Sequence, residues 1–144
     1  MKLHEGIKKY RALVRQEKLL FLEAFFAQSW AGIVIRIVPF RWIRRLYGRK
    51  IQNSRFKIQN NESIVIMSVK KAIGRAGLVS PWKNKCLVES LAARCMLNRR
   101  RIPSQISLGV THDEKKKLIA HAWIRAGDTE IVPERGDYHE MYLF

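Results

Sequence analysis

The chain has 144 residues, and its 28 lysines and arginines outnumber its 12 acidic residues, so the formal net charge is +16. A chain of this length suits one domain with a substantial core. Hydrophobic residues make up 47% of the sequence, which excludes a disordered basic tail or a low-complexity chain. Two cysteines exclude a disulfide framework, and the N-terminal residues lack the features of a signal peptide, so we expect a cytoplasmic protein.

The positive charge is concentrated in the first 60 residues, which hold 14 basic and 3 acidic residues, against 14 and 9 in the remainder. We expect residues 1–60 to form a basic N-terminal helical region and residues 61–144 to form the core, together as one compact unit. A field of this size attracts nucleic acid, anionic lipid or an acidic peptide. Nucleic acid is disfavoured as a partner, because the aromatic residues fall at core spacings and no nucleic-acid-binding motif is present.

The first long apolar segment, residues 19–40, is close to the length that spans a membrane. Glu23 and Arg36 are costly in a bilayer, so two buried helices with a joint at residues 28–32 are the preferred interpretation. Pro39 is expected to limit the second of these helices.

Residues 41–50 mix arginines with apolar residues, and this basic amphipathic pattern is compatible with peripheral contact with a membrane. A polar connection is predicted at residues 48–61. Apolar residues then recur at helical spacing over residues 64–73, and Gly74 and Gly77 are expected to close that helix.

The remaining pattern predicts one more helix followed by strands. The helix begins near Cys86, and its leucines form an apolar stripe. Residues 105–110, 118–126 and 129–133 read as strands, and Gly127-Asp128 is a plausible two-residue hairpin turn. Helices first and strands after them indicate an α+β fold.

Cys86 is the first candidate for chemistry. Its position at a helix start, beside Lys83 and Lys85, favours the nucleophilic thiolate, although a free cysteine also serves as a small core residue. Cys95 lies on the opposite face of the same helix and is expected to belong to the core. Metal binding is disfavoured because Cys86, Cys95 and His121 lack the spacing of metal ligands, and no nucleotide-binding loop or other cofactor motif is present.

His121 is the candidate base, because it is the one histidine within an apolar strand. A two-residue turn at Gly127-Asp128 would place His121 opposite Glu134, on the same face of the hairpin, as the orienting acid. A register slip of one residue would move Glu134 to the other face and leave Asp137 or Asp128 as the alternative.

Three motifs of residues 81–132 resemble the transglutaminase-like cysteine peptidases of lasso-peptide biosynthesis, the stand-alone leader peptidases. These are Cys-Leu with Ser-Leu-Ala, the Leu-Gly-Val strand and His-Ala-Trp, in PWKNKCLVESLAARCMLNRRRIPSQISLGV and AHAWIRAGDTEIV. The resemblance extends upstream to residue 15. It implies a papain-like core, in which a central helix with an N-terminal cysteine packs on an antiparallel sheet. Carried over, Cys86 and His121 are catalytic, whereas Glu134 stands where aspartate is usual and Glu89 where arginine is frequent.

The resemblance implies cleavage of a ribosomal precursor peptide between its leader and its core. A separate leader-binding recognition protein would present the precursor, and a macrolactam cyclase would act on the released core. The basic N-terminal region is then expected to be a docking surface for the recognition protein, the precursor or a membrane. The alternatives are an acyl-transferring enzyme and a catalytically silent scaffold at a membrane surface.

Overall fold

A computed structural model describes residues 7–8, 11–47, 60–82, 85–134, 136 and 138–143. Within these residues the chain forms four helices followed by four strands, as the α+β prediction requires. The helices are α1 (Arg15–Ile37), α2 (Phe40–Tyr47), α3 (Asn60–Val79) and α4 (Lys85–Arg99). The strands are β1 (Gln105–His112), β2 (Leu118–Ala126), β3 (Thr129–Val132) and β4 (His139–Leu143).

Helix α1 is continuous through residues 28–32, so the predicted joint between two helices there is wrong. The polar side chains in this segment have other roles. Gln28 is buried and donates from its Nε2 to the carbonyl oxygen of Ile73 at 3.0 Å, which links α1 to α3. Ser29 donates from its hydroxyl to Phe25 O, one turn earlier. The helix ends before Pro39, as predicted.

A bidentate ion pair holds α1 against the end of α4. Both Arg100 guanidinium NH₂ groups donate to the Glu23 carboxylate, at 2.8 Å and 2.6 Å, and Arg99 lies 3.4 Å from the same group. The hydrogen bonds from Arg100 lower the pKa of Glu23 and raise the pKa of Arg100. The carboxylate of Glu23 would be costly in a membrane-spanning helix, and in this fold it is paired with Arg100.

Helices α3 and α4 form the middle layer. In α3 the buried residues recur at helical spacing from Ile66 to Gly77, and the helix continues through both glycines to Val79, beyond the predicted end. Ile64, expected on the buried face, is exposed. Helix α4 is buried over most of its length and includes Arg94, whose burial lowers the pKa of the guanidinium to about 10, so it stays cationic at neutral pH.

The four strands form one antiparallel sheet in the order β3-β2-β1-β4. The predicted bounds of β2 are confirmed and those of β1 and β3 agree within two residues, whereas β4 was not predicted. Four even-numbered residues of β1 and β2 join the core formed with the helices, namely Ile106, Leu108, Ile124 and Ala126. We call this the inner face of the sheet. The odd-numbered residues point to the other side, the outer face.

Candidate active site

Cys86 is the second residue of α4, so its backbone lies in the first turn, as expected from the sequence. Backbone N–H groups in a first helical turn have no intrahelical acceptor, and the helix dipole there favours an anion. The residue is half-buried and its thiol is free. Its position therefore suits a nucleophile whose attack generates negative charge.

The loop before Cys86 is anchored to α1 and α3. The Trp82 ring lies against Gly32, where no side chain larger than hydrogen would fit, and the Arg36 guanidinium lies 5.4 Å from the ring centroid. Lys85 donates from its Nζ to Gly77 O at 3.2 Å, so this lysine caps a carbonyl of α3. Lys83, the other predicted neighbour of the thiolate, lies outside the described residues.

His121 lies on β2, directly opposite Gly109 of β1, and its ring is on the outer face in a cluster with two aromatic rings. The Trp123 ring is stacked on it with centroids 6.0 Å apart, and the Tyr138 ring lies 5.1 Å away. A side chain at Gly109 would place its Cβ 2.7 Å from Tyr138 and 2.8 Å from Trp123. The glycine of the Leu-Gly-Val motif therefore makes room for the two rings that flank His121.

The protonation of the neutral His121 ring follows from its hydrogen bond. Its Nε2 lies 2.9 Å from the carbonyl oxygen of Pro133. Because a carbonyl oxygen only accepts, Nε2 carries the proton and donates it to this bond. The lone pair is then on Nδ1, which is the atom able to take a proton from a thiol.

The expected pairing of His121 with Glu134 does not occur. The turn at Gly127-Asp128 is confirmed, and Arg125 faces Glu130 as a two-residue turn requires. A bulge between Ile124 and Arg125 then shifts the register by one residue, so Ile124 faces Val132. Strand β3 ends there, before it reaches the position opposite His121.

The three candidate acids have different surroundings. Glu134 is exposed and lines a cavity on the outer face, next to the aromatic neighbours of His121. Asp128 is exposed in the hairpin turn. Asp137 lies outside the described residues. Among the described residues, the backbone carbonyl of Pro133 is the hydrogen-bond partner that orients the imidazole.

The cavity, which we call the outer cavity, has a volume of about 370 Å³. Trp123 and Tyr138 form part of its wall, so it opens beside the His121 ring. Its lining is mostly polar: Gln105, Ser107, Trp123, Arg125, Glu134, Tyr138 and Glu140. A cleft of this size beside a histidine can hold a few side chains of an extended peptide.

Cys86 and His121 are not joined in the resting structure. Helix α4 packs on the inner face, whereas the rings of Trp123 and Tyr138 hold His121 on the outer face. Both residues are described, and no hydrogen bond connects the thiol to the ring. The structure therefore brings His121 and the Glu134 cavity together, and it shows no hydrogen bond between the His121 ring and the Cys86 thiol.

Two contributors to this site were not foreseen from the sequence. Tyr138 and the Pro133 carbonyl belong to the connection between β3 and β4, and the described ends of this connection meet His121 on the outer face. The aromatic Tyr138 close before a strand was the one available signal. Among the described residues, no cluster of three or more His, Cys, Asp or Glu side chains could hold a metal ion.

The sequence matches the transglutaminase-like superfamily over residues 34–142, well over half of the chain. The chain therefore belongs to this superfamily, which includes cysteine peptidases and transferases. Comparison with curated proteins and with solved structures found no match.

Proposed function

We propose that this protein is a cytoplasmic cysteine peptidase that cleaves the leader from a ribosomal lasso-peptide precursor. The observation that carries the proposal is a free cysteine in the first turn of the central helix of a transglutaminase-like fold. The His-Ala-Trp motif adds an imidazole with a free Nδ1 beside a polar cavity. The motifs of residues 81–132 support the choice of a lasso-peptide precursor as substrate.

In the proposed reaction, His121 Nδ1 takes the proton of Cys86, and the thiolate attacks the scissile carbonyl carbon. The backbone N–H of Cys86 donates to the oxyanion. The carbon–nitrogen bond then breaks, and His121 returns the proton to the amine of the core peptide. Water, deprotonated by His121, attacks the thioester and releases the leader carboxylate and the thiolate.

The third member of the site is the group that orients the imidazole. The Pro133 carbonyl accepts from Nε2, which keeps Nδ1 unprotonated in the neutral ring. Glu134 follows directly in the chain, and we propose it as the acid that stabilises the imidazolium once Nδ1 is protonated.

Because no hydrogen bond joins Cys86 to His121 in the structure, the proposed reaction needs this pair to form before catalysis. We propose that docking of the precursor with a leader-binding recognition protein brings the thiol and the imidazole together. The isolated protein is then expected to cleave slowly. The released core would pass to a macrolactam cyclase, which acts on its new N-terminal amine.

Two alternatives follow from specific observations. Acyl transfer shares every step up to the thioester, so an amine in the outer cavity in place of water would make the protein a transferase. A catalytically silent scaffold would be consistent with the unjoined Cys86 and His121. The two differ in whether an acyl group ever forms on the thiol.

The test is incubation of the full precursor and the recognition protein with wild type, Cys86→Ala or His121→Ala, followed by mass spectrometry. We expect wild type to cleave the precursor and both Cys86→Ala and His121→Ala to leave it intact. Cys95→Ser is the matched control and should stay active. In ¹⁸O-labelled water a peptidase adds one labelled oxygen to the leader, whereas a transferase adds the acceptor amine. A precursor left intact by all the chains would remove the peptidase proposal.

A further inference from the structure

Helix α1 presents an uninterrupted row of large apolar side chains to the surface. Six residues are between 39% and 75% exposed although each is large and apolar, and we call them the α1 stripe: Leu19, Leu22, Phe26, Trp30, Ile33 and Ile37. At about 100° per residue they fall within an arc of about 80°. From Leu19 to Ile37 no polar side chain falls in that arc.

The stripe lies on the side of α1 that the fold does not use. The buried residues of α1, including Ala24, Gln28 and Ala31, lie on the opposite side and pack against α3 and α4. A row of this length, about 27 Å, is longer than the scattered exposed apolar residues of ordinary surfaces. By length and composition α1 could cross a membrane, a criterion that core helices and signal sequences also meet. Its packed face instead keeps it along the surface of the domain.

The charge next to the stripe identifies the chemistry of the occupant. Helix α2 starts three residues after Ile37 and exposes Arg41, Arg44 and Arg45 together with Trp42 and Leu46. The described acidic residues near this end of the chain are Glu17, within 3.5 Å of Arg75, and Glu23, paired with Arg100. An apolar row next to exposed arginines is complementary to a bilayer surface with anionic headgroups.

We propose that the α1 stripe and α2 dock the protein on anionic lipid, with α1 lying in the plane of the membrane surface. Phe26 and Trp30 enter the acyl boundary, and the arginines of α2 contact lipid phosphates. Because α3 and α4 separate α1 from the sheet, docking leaves the outer cavity facing solution. This inference does not rest on the proposed peptidase activity.

The experiment is flotation of the full chain with vesicles of phosphatidylcholine containing 30% phosphatidylglycerol, and with vesicles of phosphatidylcholine alone. We expect wild type to float with the anionic vesicles at least ten-fold more than with the neutral ones, and 0.5 M salt to reduce the binding. The Phe26→Ser/Trp30→Ser double variant should lose at least ten-fold in binding. Leu118→Ser is the matched control, because Leu118 is 59% exposed, close to the 62% of Trp30, but lies in the sheet.

A second variant keeps the apolar stripe and removes the charge. Arg41→Gln/Arg44→Gln/Arg45→Gln should weaken binding to the anionic vesicles at least ten-fold, with thermal unfolding by circular dichroism showing that each variant is folded. Equal binding to both vesicle types, or unchanged binding of either stripe or arginine variant, would overturn the proposal. A third result would also overturn it: wild type is a dimer by light scattering and does not bind vesicles, and the double variant is a monomer. The stripe would then be an interface between two copies of the chain.

Discussion

The two outward faces of this molecule lie on opposite sides of the α3–α4 layer and have opposite chemistry. The α1 stripe is apolar, exposed and followed in the chain by the exposed arginines of α2. The outer face of the sheet is polar, and its central histidine is fixed by a hydrogen bond and two aromatic rings. Since we propose that one face docks on lipid and that the other positions a reactive histidine, substitutions should affect docking and chemistry separately.

The largest expected effect is on the chemical side of that comparison. Cys86→Ala should lower cleavage of the precursor by on the order of 10³-fold or more, because the acyl acceptor is lost. The same variant should float with anionic vesicles like wild type. The Phe26→Ser/Trp30→Ser variant should bind anionic vesicles weakly but cleave a soluble precursor like wild type. Loss of both properties in either variant would show that the two faces are not independent.

Gly109→Ala tests the close packing around His121. A Cβ at 2.7 Å from Tyr138 and 2.8 Å from Trp123 must displace one of the rings. We expect the free energy of unfolding in urea to fall by about 1–3 kcal/mol, and the cleavage rate to fall as well. Gly74→Ala is the matched control, since a Cβ there meets nothing within 4 Å and should stabilise the helix by up to about 1 kcal/mol. Equal behaviour of both variants would show that Gly109 does not position the rings.

Glu134→Gln tests whether the Pro133 carbonyl can orient His121 without the Glu134 carboxylate. Because this carbonyl already accepts from His121 Nε2, the amide should lower the cleavage rate less than ten-fold and leave the unfolding free energy nearly unchanged. The measurement is the rate of leader release under saturating precursor. A loss of 10³-fold would instead make Glu134 an obligatory member of the site.

Glu23→Gln tests how α1 is held beneath its exposed stripe. Removing the bidentate pair with Arg100 should cost about 1 kcal/mol of unfolding free energy at pH 7. Because folding lowers the pKa of Glu23, its contribution is present above the ordinary pKa of 4.5 and is lost as the pH falls through the folded value. The difference in unfolding free energy between wild type and variant, measured in urea, should therefore be smaller at pH 3 than at pH 7. A constant difference would rule out the charge as the cause.

Local patterns predicted most of the elements. The period of apolar residues located α3, α4 and the first three strands, and the position of Cys86 at a helix start followed from the same pattern. The prediction of a joint within α1 was wrong because Gln28 Nε2 donates to Ile73 O, a contact 45 residues away that no local rule anticipates.

The register of the hairpin failed for a similar reason. The turn fixed the pairs next to it, but a bulge at Ile124 depends on how Ile131 and Val132 pack against the helices. Strand β4 was missed because its partner is β1, far along the chain. Cys86, His121 and Glu134 therefore stay predictions from the sequence, whereas the contacts of His121 with Pro133 and Tyr138 depend on tertiary structure and were not predicted.

The central claim is that Cys86 carries the acyl group of the leader. It is tested most directly by mixing the protein with precursor and recognition protein, quenching in acid within seconds and measuring the intact mass of the chain. We expect an added mass equal to the leader acyl group, located on the peptide that contains Cys86 and absent in Cys86→Ala. Cleavage of the precursor by Cys86→Ala, or an adduct on Cys95 instead, would contradict it.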